Sequence, residues 1–125
     1  MQTRQIPKSE WSLFLDRFSR QHEGWLVKLE ILSSEIGAQV EETGLVLEGL
    51  TEESDEAKGN TIIIMIGKEP DNHVTHSINH PTEVSLEQTD EGADVALSIK
   101  SADGATALLS FRAAVAPETV DSVAA

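Results

Sequence analysis

The sequence predicts an α+β fold, with an N-terminal amphipathic helix packed on a curved antiparallel sheet or partly open small barrel of about six strands. Three observations carry that expectation. Apolar residues recur at helical spacing near the N-terminus, at Trp11, Phe14, Leu15 and Phe18. Past Gly24 the period drops to two, where Trp25, Val27, Leu29 and Ile31 alternate with Lys28 and Glu30. Turn-forming residues then punctuate the rest of the chain, Asp103-Gly104 being the strongest hairpin signal because the glycine accepts the positive φ of a two-residue turn.

Taken in order, residues 1–8 form an N-terminal arm and residues 9–23 a helix with Ser9 as its N-cap. Arg17 and Arg20 lie toward the C-terminal half, where cations complement the helix dipole, and His22 continues the buried stripe up to the stop at Gly24. An antiparallel sheet fills residues 25–113. After the first strand the candidates are 38–41, 45–50, 61–66, 74–78, 84–89, 93–101 and 105–113, with Asp90-Glu91-Gly92 turning between two of the last three. Residues 51–60, TEESDEAKGN, read as an exposed acidic loop, and residues 116–125 as a loosely held tail. Residues 62–66, Ile-Ile-Ile-Met-Ile, are apolar at every position, which asks for cover on both faces and a central place in the sheet. One helix covers one side. The other must be the inside of a rolled sheet, a layer of other strands, or the interface of a homodimer.

Composition bounds the function. A length of 125 residues fits one domain, which at this size buries roughly two-thirds of the surface its unfolded chain exposes. With no cysteine, disulfides, thiolate metal sites and thiol nucleophiles are excluded. The N-terminus lacks a signal-peptide core and no apolar run reaches membrane-spanning length, so a cytoplasmic location and no membrane partner are expected. Against 9 Lys+Arg stand 22 Asp+Glu, a formal charge of -13 that repels phosphate backbones and argues against nucleic acid as a partner. The charge is uneven, since Arg4, Lys8, Arg17, Arg20 and Lys28 outnumber the three acids of the same segment. That asymmetry suits a basic protein partner or, more simply, a well-solvated surface.

The segment His73 to His80, HVTHSINH, places three of four histidines within eight residues. On a helix His73, His76 and His80 would share a face and form a candidate metal site. The β-branched Val74, Thr75 and Ile78, the turn residues upstream and Pro81 downstream favour an extended backbone instead. There His73 points away from His76, and His76 lies about 13 Å from His80, too far for ligands each about 2.0 Å from one zinc ion. The strand reading makes His76 a structural histidine on the apolar face, beside Leu86 if residues 74–78 and 84–86 form a hairpin. No metal or other cofactor is therefore expected, with His73, His76 and His80 kept as the alternative ligand set.

No catalytic signature survives. His22-Glu23 opens like a zinc-protease helix, but Leu26 stands where the second histidine belongs. No nucleophile elbow or phosphate loop is present, Ser77 and His76 face opposite ways on a strand, and the many acids form no defined pair. Arg20, Gln21, His22 and Glu23, followed by Gly24-Trp25, gather polar groups at the helix-to-strand corner, as a helix C-cap with buried hydrogen bonds would. A ligand, if bound, is expected in a cleft bordered by Arg20, His22 and the His76 strand.

The segments FSRQHEGWLV (18–27), IGAQVE (36–41), LVLEG (45–49), LEQTDEGADVALSI (86–99) and PETVD (117–121) resemble a family of small bacterial proteins classed as a domain of unknown function, number 5335. The resemblance implies a one-domain bacterial cytosolic protein and brings no activity, cofactor or catalytic residue with it. The expected function is that of a small acidic non-enzymatic domain acting through protein contacts or self-association. The alternatives are a ligand- or metal-binding protein using the histidine-rich strand, and an acidic mimic of nucleic acid.

Overall fold

The computed structural model describes residues 1–33, 37–57, 59–67 and 73–115. Strands β1 (Gln2–Ile6), β2 (Leu26–Ser33), β3 (Gly37–Asp55), β4 (Gly59–Ile66), β5 (Val74–Asn79), β6 (Pro81–Gln88), β7 (Asp94–Ser101) and β8 (Thr106–Val115) accompany a single described helix, α1 (Trp11–His22). They form one antiparallel sheet in the order β1-β6-β7-β8-β2-β3-β4-β5. The sheet is open, with β1 and β5 at its edges, and has eight strands among the described residues rather than about six.

Two segments expected outside the sheet belong to it, and the strands expected at 38–41 and 45–50 are the single strand β3. Residues 2–6, expected in an arm, pair with β6 from Gln2↔Gln88 to Ile6↔Val84. The acidic segment expected as a loop instead continues β3 and turns into β4, pairing Glu52↔Ile62, Glu53↔Thr61 and Ser54↔Asn60. Its acids occupy solvent-facing strand positions, and the half-buried Glu52 carboxylate accepts a hydrogen bond from Asn60 Nδ2 at 2.9 Å. A dense run of carboxylates hides a strand from composition because pairing depends on backbone partners, which the isoleucines of β4 supply.

The expected hairpin between residues 74–78 and 84–86 does not form. β5 pairs with β4, placing His76 opposite Ile64, while β6 pairs with β1 and β7. Between them His80 takes a φ of 53°, a rare conformation for a residue with a Cβ. Its N–H donates to Asn60 O and its carbonyl accepts from Ala102 N–H, both at 3.0 Å, so this corner joins distant parts of the curled sheet.

The interior of the curl is apolar and closed. Leu29, Leu47, Ile62, Ile64, Ile66, Val84, Leu97, Ile99 and Leu109 have no exposed surface. On β4 the covering is unequal: Ile62, Ile64 and Ile66 are fully buried, whereas Ile63 and Met65 on the other face are half-buried. The strand lies next to the edge strand β5 rather than at the centre.

Helix α1 sits where the sheet parts. Ser9 does not cap it; a 3-10 turn at Lys8–Glu10 leads in, and Glu10 occupies the N-cap position without a side-chain hydrogen bond. Trp11, Leu15, Phe18 and His22 form its buried stripe, and Trp11 Nε1 donates to Ile6 O at 2.9 Å. β2 pairs with β3 no further than Val46, and beyond that point the helix takes the place of a strand. The Ser19 hydroxyl accepts from Leu50 N–H at 2.7 Å and lies 2.7 Å from Leu15 O and 3.0 Å from Leu50 O, so one side chain satisfies strand backbone that lacks a neighbour.

Candidate functional site

The last turn of α1 delivers His22 into the protein. Its ring is completely buried, with Nδ1 2.8 Å from Phe18 O and Nε2 2.9 Å from Asp94 Oδ2. The second contact is at ion-pair distance without the alignment of a full hydrogen bond. Both nitrogens thus face oxygen atoms, one of the backbone and one of a carboxylate. The ring stacks on Phe111 (4.7 Å between centroids, 16° between planes), lies 4.2 Å from Phe18, and takes Trp25 edge-on at 4.6 Å.

Asp94, the first residue of β7, is 4% exposed. Its other oxygen, Oδ1, accepts from Gln88 Nε2 at 2.9 Å. Burial pushes this carboxyl upward, but the contacts from His22 and Gln88 and the charges of His22 and Arg4 outweigh it, and the net direction is below the usual aspartate value. The folded state therefore holds the Asp94 proton less tightly than the unfolded chain does. The stability that follows is complete above the unfolded value of about 3.9 and is lost as pH falls through the lower folded value. Urea titrations are expected to show the margin of the wild type over Asp94→Asn constant near neutrality and shrinking below about pH 4; a margin that grows on acidification would contradict the assignment.

This pair fastens the C-terminal end of α1 to β6 and β7 and so forms the end wall of a groove. The groove encloses about 260 Å³ between α1 and β1, β6 and β7. Phe14, Phe18 and Leu86 give it an apolar lining, and Arg4, Arg17, Gln21 and Gln88 add polar groups. Arg4 stands opposite Leu86 in the β1–β6 register. Neither Arg4 nor Arg17 has an ion pair within 4 Å among the described residues, whereas Arg20 meets Asp16 at 3.4 Å, Lys28 meets Glu30 at 3.6 Å and Lys100 meets Glu83 at 3.2 Å.

The residues expected to border one cleft are not brought together. Arg20 is exposed and lines neither the groove nor the depression around His76. His22 builds the groove from beneath without reaching solvent. His76, half-buried on β5, borders a separate depression of about 240 Å³ beside the turn between β7 and β8, where Ser101 and Asp103 lie. The three clustered histidines diverge: His73 Nε2 is 2.7 Å from Glu48 Oε2, His76 faces this depression, and the His80 ring lies against Gly59. Among the described residues no three His, Asp or Glu side chains converge on one point.

Asp94, Arg4 and Gln88 were not among the residues singled out by sequence. The one available signal was the lone acid opening an otherwise alternating strand, Asp94 before Val95-Ala96-Leu97.

The model of the family described as a family of unknown function (DUF5335) matches residues 2–120. The chain belongs to that family. An uncharacterized protein of Aquifex aeolicus (strain VF5) is 30% identical over 115 residues, which cover 92% of this chain and 96% of that one. Among solved structures, the crystal structure of the Bacillus subtilis YojF protein is similar over 92% of this chain and 99% of that chain, with 9% identity and a TM-score of 0.48. No described helix of this family member is long and apolar enough to cross a membrane.

Proposed function

We propose that this family member is a non-enzymatic cytoplasmic domain that docks a segment of another protein in the groove between α1 and β1, β6 and β7. The carrying observation is that two arginines with no carboxylate within 4 Å among the described residues share one groove with an apolar lining. At about 260 Å³ the groove is smaller than the roughly 300–1,000 Å³ of pockets that enclose small molecules, and it suits a few side chains of a peptide. The buried state of His22 and Asp94 supports a structural role for this histidine–carboxylate pair. The absence of cysteine fits a reducing compartment.

A photoreactive amino acid at the exposed, groove-lining Leu13 tests this in living cells against the same group at Ser77 on β5. Adducts of discrete mass are expected from Leu13, absent from Ser77, and lost when Gln21→Trp fills the groove. Equal adducts from both positions, or none from Leu13, would contradict the reading.

A further inference from the structure

We infer that the docked segment is acidic: a short stretch of a partner protein that sets one or two carboxylates against Arg4 and Arg17 and lays flanking aliphatic side chains on Phe14 and Leu86. This inference rests on the docking reading above and adds the chemistry of the partner.

The argument begins with how the described cations are used. Arg20, Lys28 and Lys100 have carboxylates, and Lys8 lies 5.9 Å from the centroid of the Trp11 ring. Arg4 and Arg17 remain, and both line the same groove. Among the described residues neither guanidinium has a carboxylate within 4 Å, although the charge of Arg4 reaches Asp94 at the end of the same groove. The planar guanidinium fork matches a carboxylate in a way that a lysine does not, because it offers two parallel donors.

Other charges facing the groove limit the match. Asp94 is already engaged by His22 and Gln88. Glu10 also lines the groove and disfavours a segment that is acidic throughout, which restricts the partner to a few carboxylates among apolar residues. The overall charge of -13 does not forbid such a partner. The walls contributed by β1 and α1 come from the first 28 residues, where five cations face three acids, and at physiological salt charges farther than about 8 Å are largely screened. The apolar side of the match has its own surface, since Leu13 is 55% exposed at the rim and Phe14 is half-buried.

Fluorescence anisotropy with three labelled hexapeptides tests the inference on the full chain: one alternating Leu with Glu, its Gln isostere, and its Lys counterpart. The Glu peptide is expected to bind at least about 10-fold more tightly than the Gln peptide, with an affinity that falls as salt rises. Arg4→Gln and Arg17→Gln are each expected to weaken it roughly 10-fold while shifting the melting curve little, because both side chains are exposed. Gln or Lys peptides binding as well as the Glu peptide, no binding of any, or indifference to both substitutions would overturn the inference. If these fail while the Leu13 adducts still form and still vanish with Gln21→Trp, the docking reading stands and only the acidic chemistry is wrong. If the adducts fail as well, both fall.

Discussion

Asp94→Ala is expected to destabilise the fold by about 3–5 kcal/mol, the order seen when one member of a buried pair is removed and the other is left without its partner. His22 has no exposed surface and no other carboxylate in contact among the described residues, so it cannot recover hydration without lifting the end of α1. The double variant His22→Phe/Asp94→Ala is expected to be more stable than Asp94→Ala alone. Phenylalanine extends the stack formed by Phe18, Trp25 and Phe111 and removes the buried polar ring that needed a partner. Urea denaturation of the wild type, both single variants and the double variant checks this. Strictly additive losses would mean that the two side chains are not coupled.

A loss of about 2–5 kcal/mol is expected for Ile64→Ala, since that side chain is fully enclosed and its removal leaves a cavity between the two sides of the curl. Met65→Ala, one residue on, is expected to cost nearer to about 1 kcal/mol because its face of β4 is half-buried. The contrast between adjacent apolar residues is the useful quantity. Equal losses would indicate that β4 is covered on both faces after all, as the unbroken run at 62–66 suggests from sequence.

The helix and most strand positions were legible because period is a local property. Trp11, Leu15, Phe18 and His22 recur at helical spacing, and Val27 and Leu29 at strand spacing. The turn at Asp103-Gly104 was equally local: Gly104 has a φ of 94°, and Ala105 N–H is held by Asp103 Oδ1 at 2.9 Å. What escaped depended on partners distant in sequence. β1 has too few apolar residues to announce itself and exists through pairing with β6. The acidic half of β3 reads as a loop because its composition is charged and strand pairing leaves no local mark in the sequence. The corner at His80 sent β6 to a different neighbour and separated His76 from Leu86.

The site followed the same division. His22 was legible as a buried member of the stripe, but its partner is 72 positions away along the chain and could not be read from spacing. The charge total pointed toward a basic partner. Only the three-dimensional arrangement places two arginines on one groove with no carboxylate within 4 Å among the described residues, the observation behind the opposite match proposed for that place.

The most direct test is an amide NMR titration of the isotopically labelled protein with the Leu–Glu hexapeptide. Perturbed resonances are expected to cluster at Arg4, Phe14, Arg17, Gln21, Leu86 and Gln88, along both walls of the groove. Perturbations centred instead on His76, Ser77 and Asp103, or a spectrum that does not change, would contradict the assignment of the groove as the docking surface.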